Sequence, residues 1–529
     1  MKIAPASPAV EGAAFGYSRR EPALQPAPGV PYQRPEPMSC VYIVRMPQPP
    51  NTETYAEIDE TGFLPVQARP LSTFSIDVDT GSYSNVRRFL TAGQLPPADA
   101  VRIEELVNYF SYDYAPPVGE HPFAVHLAAM ACPWAPKHEL VRIGLKGKEI
   151  DVERRPPCNL VFLIDVSGSM TDDDKLPLLK HGMQMLTRQL DESDQVGIVT
   201  YAGHSGVALP PTRCTQQGKR RILDLIGSLQ PGGSTHGSAG IQDAYAMAEE
   251  EFLRNGANRV ILCTDGDFNV GVTDPEALNR LIEEKAKSGV FLTVLGFGEG
   301  NLKDATMEQL ADKGNGIYGY IDNISEARKL LVAQMSGSIV TIAKDVKIQV
   351  EFNPAEVAAW RLIGYENRLL ADEDFNDDTK DAGEIGAGHT VTALYEVVPV
   401  GEPVPGKPGV DPLKYQQTPP EPALELTDAA RNGELMTVKL RYKPPKEDES
   451  KLLSVALRKD DAPAPAVDSD LQFAAAVASF GMILRDSSHA RDFTCENVLQ
   501  MARAAKGPDD EGYRAEFLTL VRNVQELKQ

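Results

Sequence analysis

Oxygen-bearing side chains stand at every second position directly after an apolar run. The run is VFLI at residues 161–164, and the side chains belong to Asp165, Ser167 and Ser169. Such a run is typical of a buried parallel strand, and open α/β sheets place their ligand sites at the carboxyl ends of these strands. A carboxylate and two hydroxyls suit a hard divalent cation, and they offer neither the nitrogen nor the sulfur that zinc and copper prefer. These residues therefore predict a cation site at a sheet edge.

Two later segments add oxygen atoms to this predicted site. A glycine-rich segment, GGSTHG at residues 232–237, opens a helical pattern and offers the hydroxyl of Thr235. A second apolar strand pattern, VILCT at residues 260–264, is followed by Asp265. Because the carboxyl ends of parallel strands share one edge, we expect three strand-end loops to meet at one ion. The predicted ligands are Asp165, Ser167, Ser169, Thr235 and Asp265.

This set of five residues resembles the metal-ion-dependent adhesion site of the von Willebrand factor A-domain family, and all five positions match in order. The resemblance implies that the two serines and the threonine bind Mg²⁺ directly or through water, and that the aspartates bind it largely through water. It also implies that a Glu or Asp of a partner protein completes the octahedron. Mn²⁺ or Ca²⁺ are alternative ions. With few direct carboxylates the cation stays electrophilic, and Mg²⁺ tolerates several retained waters.

The flanking segments extend the resemblance. The segments TFSIDVDTGSY at 73–83 and GYENR at 364–368 resemble a bacterial group of A-domain proteins with characteristic N-terminal and C-terminal regions. Many members of such groups are exported or lipid-anchored. No apolar stretch approaches the length of a transmembrane helix, so direct membrane insertion is not expected. The location stays open: cell envelope or extracellular if a leader has been removed, and cytoplasmic otherwise.

Strand and helix patterns alternate through the region that carries the site. This alternation predicts an α/β fold with a doubly wound, mostly parallel, Rossmann-like sheet. No G-x-G-x-x-G or Walker A sequence follows a strand pattern there. Two strand patterns before this region are too few to bury a sheet face alone, so we expect later strands to complete their sheet. The α/β domain would then be inserted into a discontinuous β-rich domain, with helices at the C-terminus.

Composition shifts divide the chain. The expected parts are a disordered Pro/Ala-rich tail (1–50), an N-terminal α+β flanking region (51–150), the A domain (157–337), a β-rich region that packs with 120–150 (340–460), and a helical region (466–529). The net charge of −22 argues against nucleic-acid partners. Six dispersed cysteines show no metal-site spacing, and Cys158 and Cys263 are expected to be buried thiols.

Several nearby residues allow two interpretations each. His236 could tune the site with pH or be a solvated loop residue, and Asp267 could accept hydrogen bonds behind the ligands or cap its loop. Residues 172–174, all aspartates, could add negative charge near the ion, and they are expected to cap the helix that starts near Lys175. The segment DVDTGS at 77–82 echoes the metal motif. It predicts either a second cation site or a turn in which Thr80 or Ser82 caps the next helix.

Three function classes fit these patterns. The first is a non-enzymatic binding module that captures a partner carboxylate through Mg²⁺, in adhesion or assembly. The second is a scaffold that the ion only stabilises. The third is a metal-dependent hydrolase, which is disfavoured because the motif at Asp165 lacks the second aspartate of an Asp-x-Asp phosphatase, and neither serine lies in a Gly-x-Ser-x-Gly elbow.

Overall fold

Three β-sheets and a set of C-terminal helices make up the part of the chain that the computed structural model describes. The described residues are 51–150, 155–203, 205–233, 240–266, 275–334, 340–406, 425–459 and 468–529. The predicted disordered tail, residues 1–50, lies outside them, as do Thr235, His236, Asp267 and Cys40.

The N-terminal flanking region mixes short strands and helices. Its elements are β1 (Leu64–Pro65), β2 (Leu71–Ser75), α1 (Gly81–Thr91), α2 (Ile103–Asn108), β3 (Phe123–Ala131) and β4 (Glu139–Gly147). The predicted caps of α1 are wrong. Thr80 is at the N-cap position, but its side chain makes no capping hydrogen bond. Ser82 does not cap the helix either, because its Oγ donates to the carbonyl of Ala100 and accepts from the backbone N–H of Arg102. A sequence pattern does not reveal such long-range partners.

The central sheet has six strands in the order β10-β9-β8-β5-β6-β7. Its strands are β5 (Cys158–Asp165), β6 (Gln195–Tyr201), β7 (Ser205–Arg213), β8 (Ala257–Thr264), β9 (Val290–Phe297) and β10 (Tyr318–Ile321). All neighbours are parallel except β7, which pairs antiparallel with β6 at the edge. This mostly parallel sheet is the one that the alternating pattern predicts.

Helices cover both faces of this sheet. They are α3 (Leu176–Gln189), α4 (Gln216–Ser228), α5 (Gly240–Glu250), α6 (Pro275–Ala286), α7 (Asp304–Lys313) and α8 (Ile324–Arg328). Along β5, Phe162 and Ile164 pack into the core with α3, α4 and α8, while Val161 and Leu163 pack with α5, α6 and α7. A strand buried on both faces explains the uninterrupted apolar run. A π-helical segment, Lys329–Gln334, follows α8 directly.

The two flanking sheets combine strands from before and after the central sheet. The later strands are β11 (Thr341–Phe352), β12 (Val357–Ile363), β13 (Ile385–Gly386), β14 (Thr390–Pro399), β15 (Glu434–Lys443) and β16 (Lys451–Arg458). One sheet has the order β1-β12-β14-β4-β3, and the other has β13-β11-β15-β16 with β2 also paired to β11. The sheets share one apolar core that includes Ile143, Val350, Trp360 and Val438. The expectation of an α/β domain inserted into a discontinuous β-rich domain is confirmed.

The chain ends in three helices, α9 (Ser469–Leu484), α10 (Cys495–Ala504) and α11 (Tyr513–Leu527). Helix α9 is apolar on all sides and is accordingly buried, with Phe473, Val477 and Phe480 fully enclosed. It shares its core with α1 and α2, so the first and last helices of the described chain form one unit. Among the described helices, none has both the length and the apolar character to span a membrane.

Candidate metal centre

Two acidic residues lie side by side at the carboxyl edge of the central sheet. Asp165 is the last residue of β5, and Asp265 directly follows β8. The strands are paired in register, with Ile164 opposite Cys263, so both chains leave the sheet at the same edge. Gly266 then turns the chain with φ +115°, where a Cβ atom would lie 2.1 Å from the carbonyl oxygen of Asn301. Only glycine permits this turn without displacing the neighbouring backbone.

The Asp165 carboxylate uses one oxygen within its own loop. Its Oδ1 accepts a hydrogen bond of 2.8 Å from the backbone N–H of Ser167. Its Oδ2 is buried and makes no hydrogen bond of standard geometry with the described residues, and the Tyr201 hydroxyl lies near this carboxylate. The Ser167 and Ser169 hydroxyls lie 2.9 Å apart, Ser167 buried and Ser169 exposed. The loop thus presents a carboxylate oxygen and two hydroxyls between the sheet edge and the surface.

The Asp265 carboxylate, like that of Asp165, has one hydrogen-bonded oxygen and one oxygen without a hydrogen bond. Oδ2 accepts a hydrogen bond of 3.0 Å from Nζ of Lys175, and Oδ1 is buried without a partner in the described part of the chain. An unpartnered buried carboxylate oxygen is costly. Two of them at one sheet edge, beside paired hydroxyls, fit an all-oxygen ligand set for a hard divalent cation.

The electrostatics of Asp165 point the same way. Burial raises its pKa to about 6, and the nearby charge of Asp265 adds to the rise, while hydrogen bonds from Ser167 and Tyr201 oppose it. A divalent cation at this edge would favour the charged form of the Asp165 carboxylate, since an opposite charge lowers the pKa of an acid. A bound cation would therefore stabilise the ionised Asp165 side chain in its buried position.

The loop that leads to Thr235 begins at the same place. Gly232 donates its N–H to the carbonyl of Val166 at 2.7 Å, and Gly168 donates to the carbonyl of Gly233 at 3.1 Å. These bonds tie the start of the glycine-rich loop to the serine loop. Thr235 itself lies beyond the described residues, so the ligand role of the set of five stays a prediction.

Sequence reasoning missed Lys175. It is the N-cap residue of α3, and its ammonium turns back to Asp265. The three aspartates before it provide no side-chain cap, because the chain reaches α3 with Lys175 itself at the cap position. The sequence contains no signal for the direction of this side chain, since that direction depends on the space above Gly298, far along the chain.

The segment that echoes the metal motif forms a different arrangement. Asp77, Asp79 and Glu308 converge on Nη2 of Arg368, at 3.4, 3.2 and 3.3 Å. All of these side chains are at least nine-tenths buried. The positive charge at this cluster belongs to an arginine of the chain, which ties the N-terminal flank and α7 to the region after β12.

Comparisons with known proteins agree with this architecture. Residues 160–267 match the family described as von Willebrand factor type A domain, residues 49–142 match one described as von Willebrand factor, and residues 337–527 match the C-terminal region of uncharacterized protein YfbK. Uncharacterized protein YfbK of Escherichia coli (strain K12) is 43% identical over 482 residues, which cover 89% of this chain and 81% of that protein. The chain belongs to the YfbK family. It is thus a bacterial von Willebrand factor A-domain protein with a C-terminal YfbK region, as the motifs predict.

More distant relatives share part of this YfbK-family chain. Human inter-alpha-trypsin inhibitor heavy chain H3 is 26% identical over 260 residues, which cover 46% of this chain and 28% of that protein. Arabidopsis thaliana E3 ubiquitin-protein ligase WAV3 is 26% identical over 268 residues, which cover 50% of this chain and 34% of that protein. A solved von Willebrand factor type A structure from Catenulispora acidiphila is 16% identical, covers 75% of this chain and 89% of its own, and has a TM-score of 0.39.

Proposed function

We propose that this YfbK-family protein is a non-enzymatic module that binds a divalent cation, Mg²⁺ in the first place, and through it a carboxylate of a partner protein. The observation that carries the proposal is the pair of buried, unpartnered oxygens, Asp165 Oδ2 and Asp265 Oδ1, at one edge of the central sheet. Buried polar atoms in native proteins almost always have a hydrogen-bond partner. Two carboxylate oxygens without one at the same sheet edge are therefore best explained by a bound cation.

Each predicted ligand then has a role. Ser167, Ser169 and Thr235 would hold the ion, and Asp165 and Asp265 would balance its charge. The bound ion would supply an electrophilic position that accepts a Glu or Asp oxygen of the partner. Exposure of Ser169 supports access for such a partner and favours binding over a purely structural ion.

The chain's own groups do not favour hydrolysis. Within the described part of the site, Lys175 is the basic group that contacts a candidate ligand, and its ammonium is engaged by Asp265. Among the described residues neither serine hydroxyl hydrogen-bonds a histidine or a lysine: the two hydroxyls lie 2.9 Å apart, and Ser167 otherwise bonds the Asp165 carboxylate, itself a predicted ligand. The overall charge of −22 also supports a protein partner over a nucleic acid.

Titration calorimetry with Mg²⁺ tests the ion site. Wild type should bind saturably, and Asp165→Ala should not, because the variant lacks a charge-balancing carboxylate. Asp224→Ala, which removes an exposed carboxylate from α4, is the matched control and should bind as wild type does. Equal binding by wild type and Asp165→Ala would refute the assignment.

A pull-down tests capture of the partner. Immobilised protein is incubated with lysate of the source cells in Mg²⁺ or in EDTA. A protein retained only in Mg²⁺, and lost with Asp165→Ala, supports the proposal. Saturable Mg²⁺ binding that stabilises the fold, with identical retained proteins in Mg²⁺ and EDTA, would favour the scaffold function instead.

A further inference from the structure

A buried ammonium group lies inside the candidate metal centre. Nζ of Lys175 is 3.0 Å from Oδ2 of Asp265, and the two side chains are 7% and 0% exposed. Of the other acids near this ammonium, Asp172 lies 4.0 Å away and is 74% exposed, so solvent screens its charge, and the half-buried Asp174 also interacts with it by charge. Lys175 is therefore paired mainly with a predicted ligand of the ion.

The fold holds this side chain in one place. The backbone of Lys175 is fixed at the start of α3, since its N–H donates to the carbonyl of Asp172 and its carbonyl accepts from Leu179. Its aliphatic stem lies against Gly298, where a Cβ atom would come within 2.2 to 2.8 Å of the stem carbons. Gly298 has φ +74°, so the residue there is suited to glycine and leaves the stem its space.

The ammonium changes the charge of the whole centre. Asp165 and Asp265 carry two negative charges when ionised, and a divalent cation would neutralise both. Counted over Asp165, Asp265, Lys175 and the ion alone, the loaded centre keeps one positive charge with Lys175 in place and is neutral without it. A like charge at short range in a poorly solvated site opposes ion binding. The same charge attracts an external carboxylate to the loaded centre.

We propose that Lys175 is a fixed positive charge that lowers the affinity of the centre for its divalent ion and raises the affinity of the loaded centre for an external carboxylate. This inference rests on the proposed function and identifies the residue that sets the balance between the two binding steps. The partner's Glu or Asp would thus meet a cationic centre.

A purely structural role for Lys175 predicts the opposite effect on ion binding. If the ammonium served only to orient Asp265, its removal would misplace a ligand and weaken ion binding. If it acts by charge, its removal strengthens ion binding and weakens carboxylate binding. The two affinities move in opposite directions only in the second case.

The experiment uses the full chain and two probes, Mn²⁺ followed by water-proton relaxation, and then acetate added to the Mn²⁺-loaded protein. Lys175→Met should bind Mn²⁺ at least roughly tenfold more tightly than wild type, which corresponds to loss of about 1.4 kcal/mol of repulsion. Its loaded form should bind acetate several-fold more weakly. Lys175→Gln repeats the test with a polar side chain in case the methionine variant fails to fold.

The matched control is Lys285→Met, which breaks another lysine–carboxylate pair of the same domain, Lys285–Glu249 at 2.8 Å. It should leave both affinities unchanged. Equal or weaker Mn²⁺ binding by the folded Lys175 variants would overturn the inference while leaving the proposed function standing. Binding only by the Lys175 variants would refute the proposed function for the wild type and, with it, the part of the inference that concerns carboxylate binding. No Mn²⁺ binding by any of them would refute both.

Discussion

The Asp165 side chain shows how one buried acid is placed for a cation. Its Oδ1 is bonded to the Ser167 N–H and its Oδ2 is left open, and burial raises its pKa to about 6. Without a cation the ionised form is a cost to the fold. With a cation the same charge becomes a source of binding energy.

We predict that Asp165→Asn separates these two effects. In EDTA the variant should have a free energy of unfolding roughly 1–3 kcal/mol higher than wild type near neutral pH, because the amide keeps the Ser167 hydrogen bond and removes the buried charge. Saturating Mg²⁺ should stabilise wild type and leave the variant unchanged. Urea denaturation in EDTA and in Mg²⁺ measures both effects, and stabilisation of the variant by Mg²⁺ would contradict the prediction.

The positions of Asp165 and Asp265 were predictable because each follows an apolar run that only a doubly buried strand explains. The side-chain direction of Lys175 was not. That direction depends on an open space at Gly298, which the fold brings to Lys175 from across the domain. Local sequence carries information about strands, and little about which distant residue leaves room for a side chain.

At the scale of elements, the turn after β8 controls where Asp265 points. Gly266 turns there with φ +115° against the backbone of residues 301–302. The parallel strands themselves were predictable from their apolar runs. The helix caps at Thr80 and at residues 172–174 were not, because tertiary contacts and local chain direction decided which group lies at each helix start.

We predict that Gly266→Ala destabilises the protein by more than backbone strain alone. A left-handed alanine costs on the order of 1 kcal/mol, and the collision with the Asn301 carbonyl should add to that cost. Gly300→Ala is the matched control, since Gly300 has φ +86° and open space around its Cα. Denaturant midpoints of the two variants should differ clearly, and equal midpoints would show that the collision relaxes freely.

At the scale of the whole molecule, one carboxylate joins segments from both sides of the inserted domain. Glu396 of β14 accepts hydrogen bonds from Trp134 at 2.8 Å and His138 at 2.5 Å, both from before the insertion. It also pairs with Arg361 of β12 at 2.7 Å. The discontinuous sheet was predictable from the need to bury a face. This polar junction was not, since its members are dispersed in the sequence.

We predict that this junction makes stability depend on acid pH. Burial alone would raise the pKa of Glu396, but the hydrogen bond from His138 and the charge of Arg361 prevail and lower it to about 2. The folded state therefore holds the proton less tightly than the unfolded state. The contribution of Glu396 to stability is full above about pH 4.5 and is lost as the pH falls towards 2, and this loss is on the order of 3 kcal/mol.

Glu396→Gln should flatten that pH dependence in urea denaturation series. Glu402→Gln is the matched control, because Glu402 pairs with Lys137 across the same two segments but at the surface, where such pairs contribute little. The control should keep the wild-type slope. A wild-type slope in Glu396→Gln would place the pH dependence in other groups.

The discontinuous sheet also sets an order of events during synthesis. Strands β3 and β4 leave the ribosome as a lone hairpin, and the neighbour of β4, strand β14, is translated only after the entire central sheet. Domains fold as units while the chain grows, so the α/β domain can fold before the discontinuous β-rich domain is complete. Until β14 has been synthesised, apolar residues of β4 such as Val141 and Leu145 lack their neighbours in the sheet and stay exposed to solvent. The nascent chain is therefore most exposed to aggregation and to chaperones during translation of the central domain.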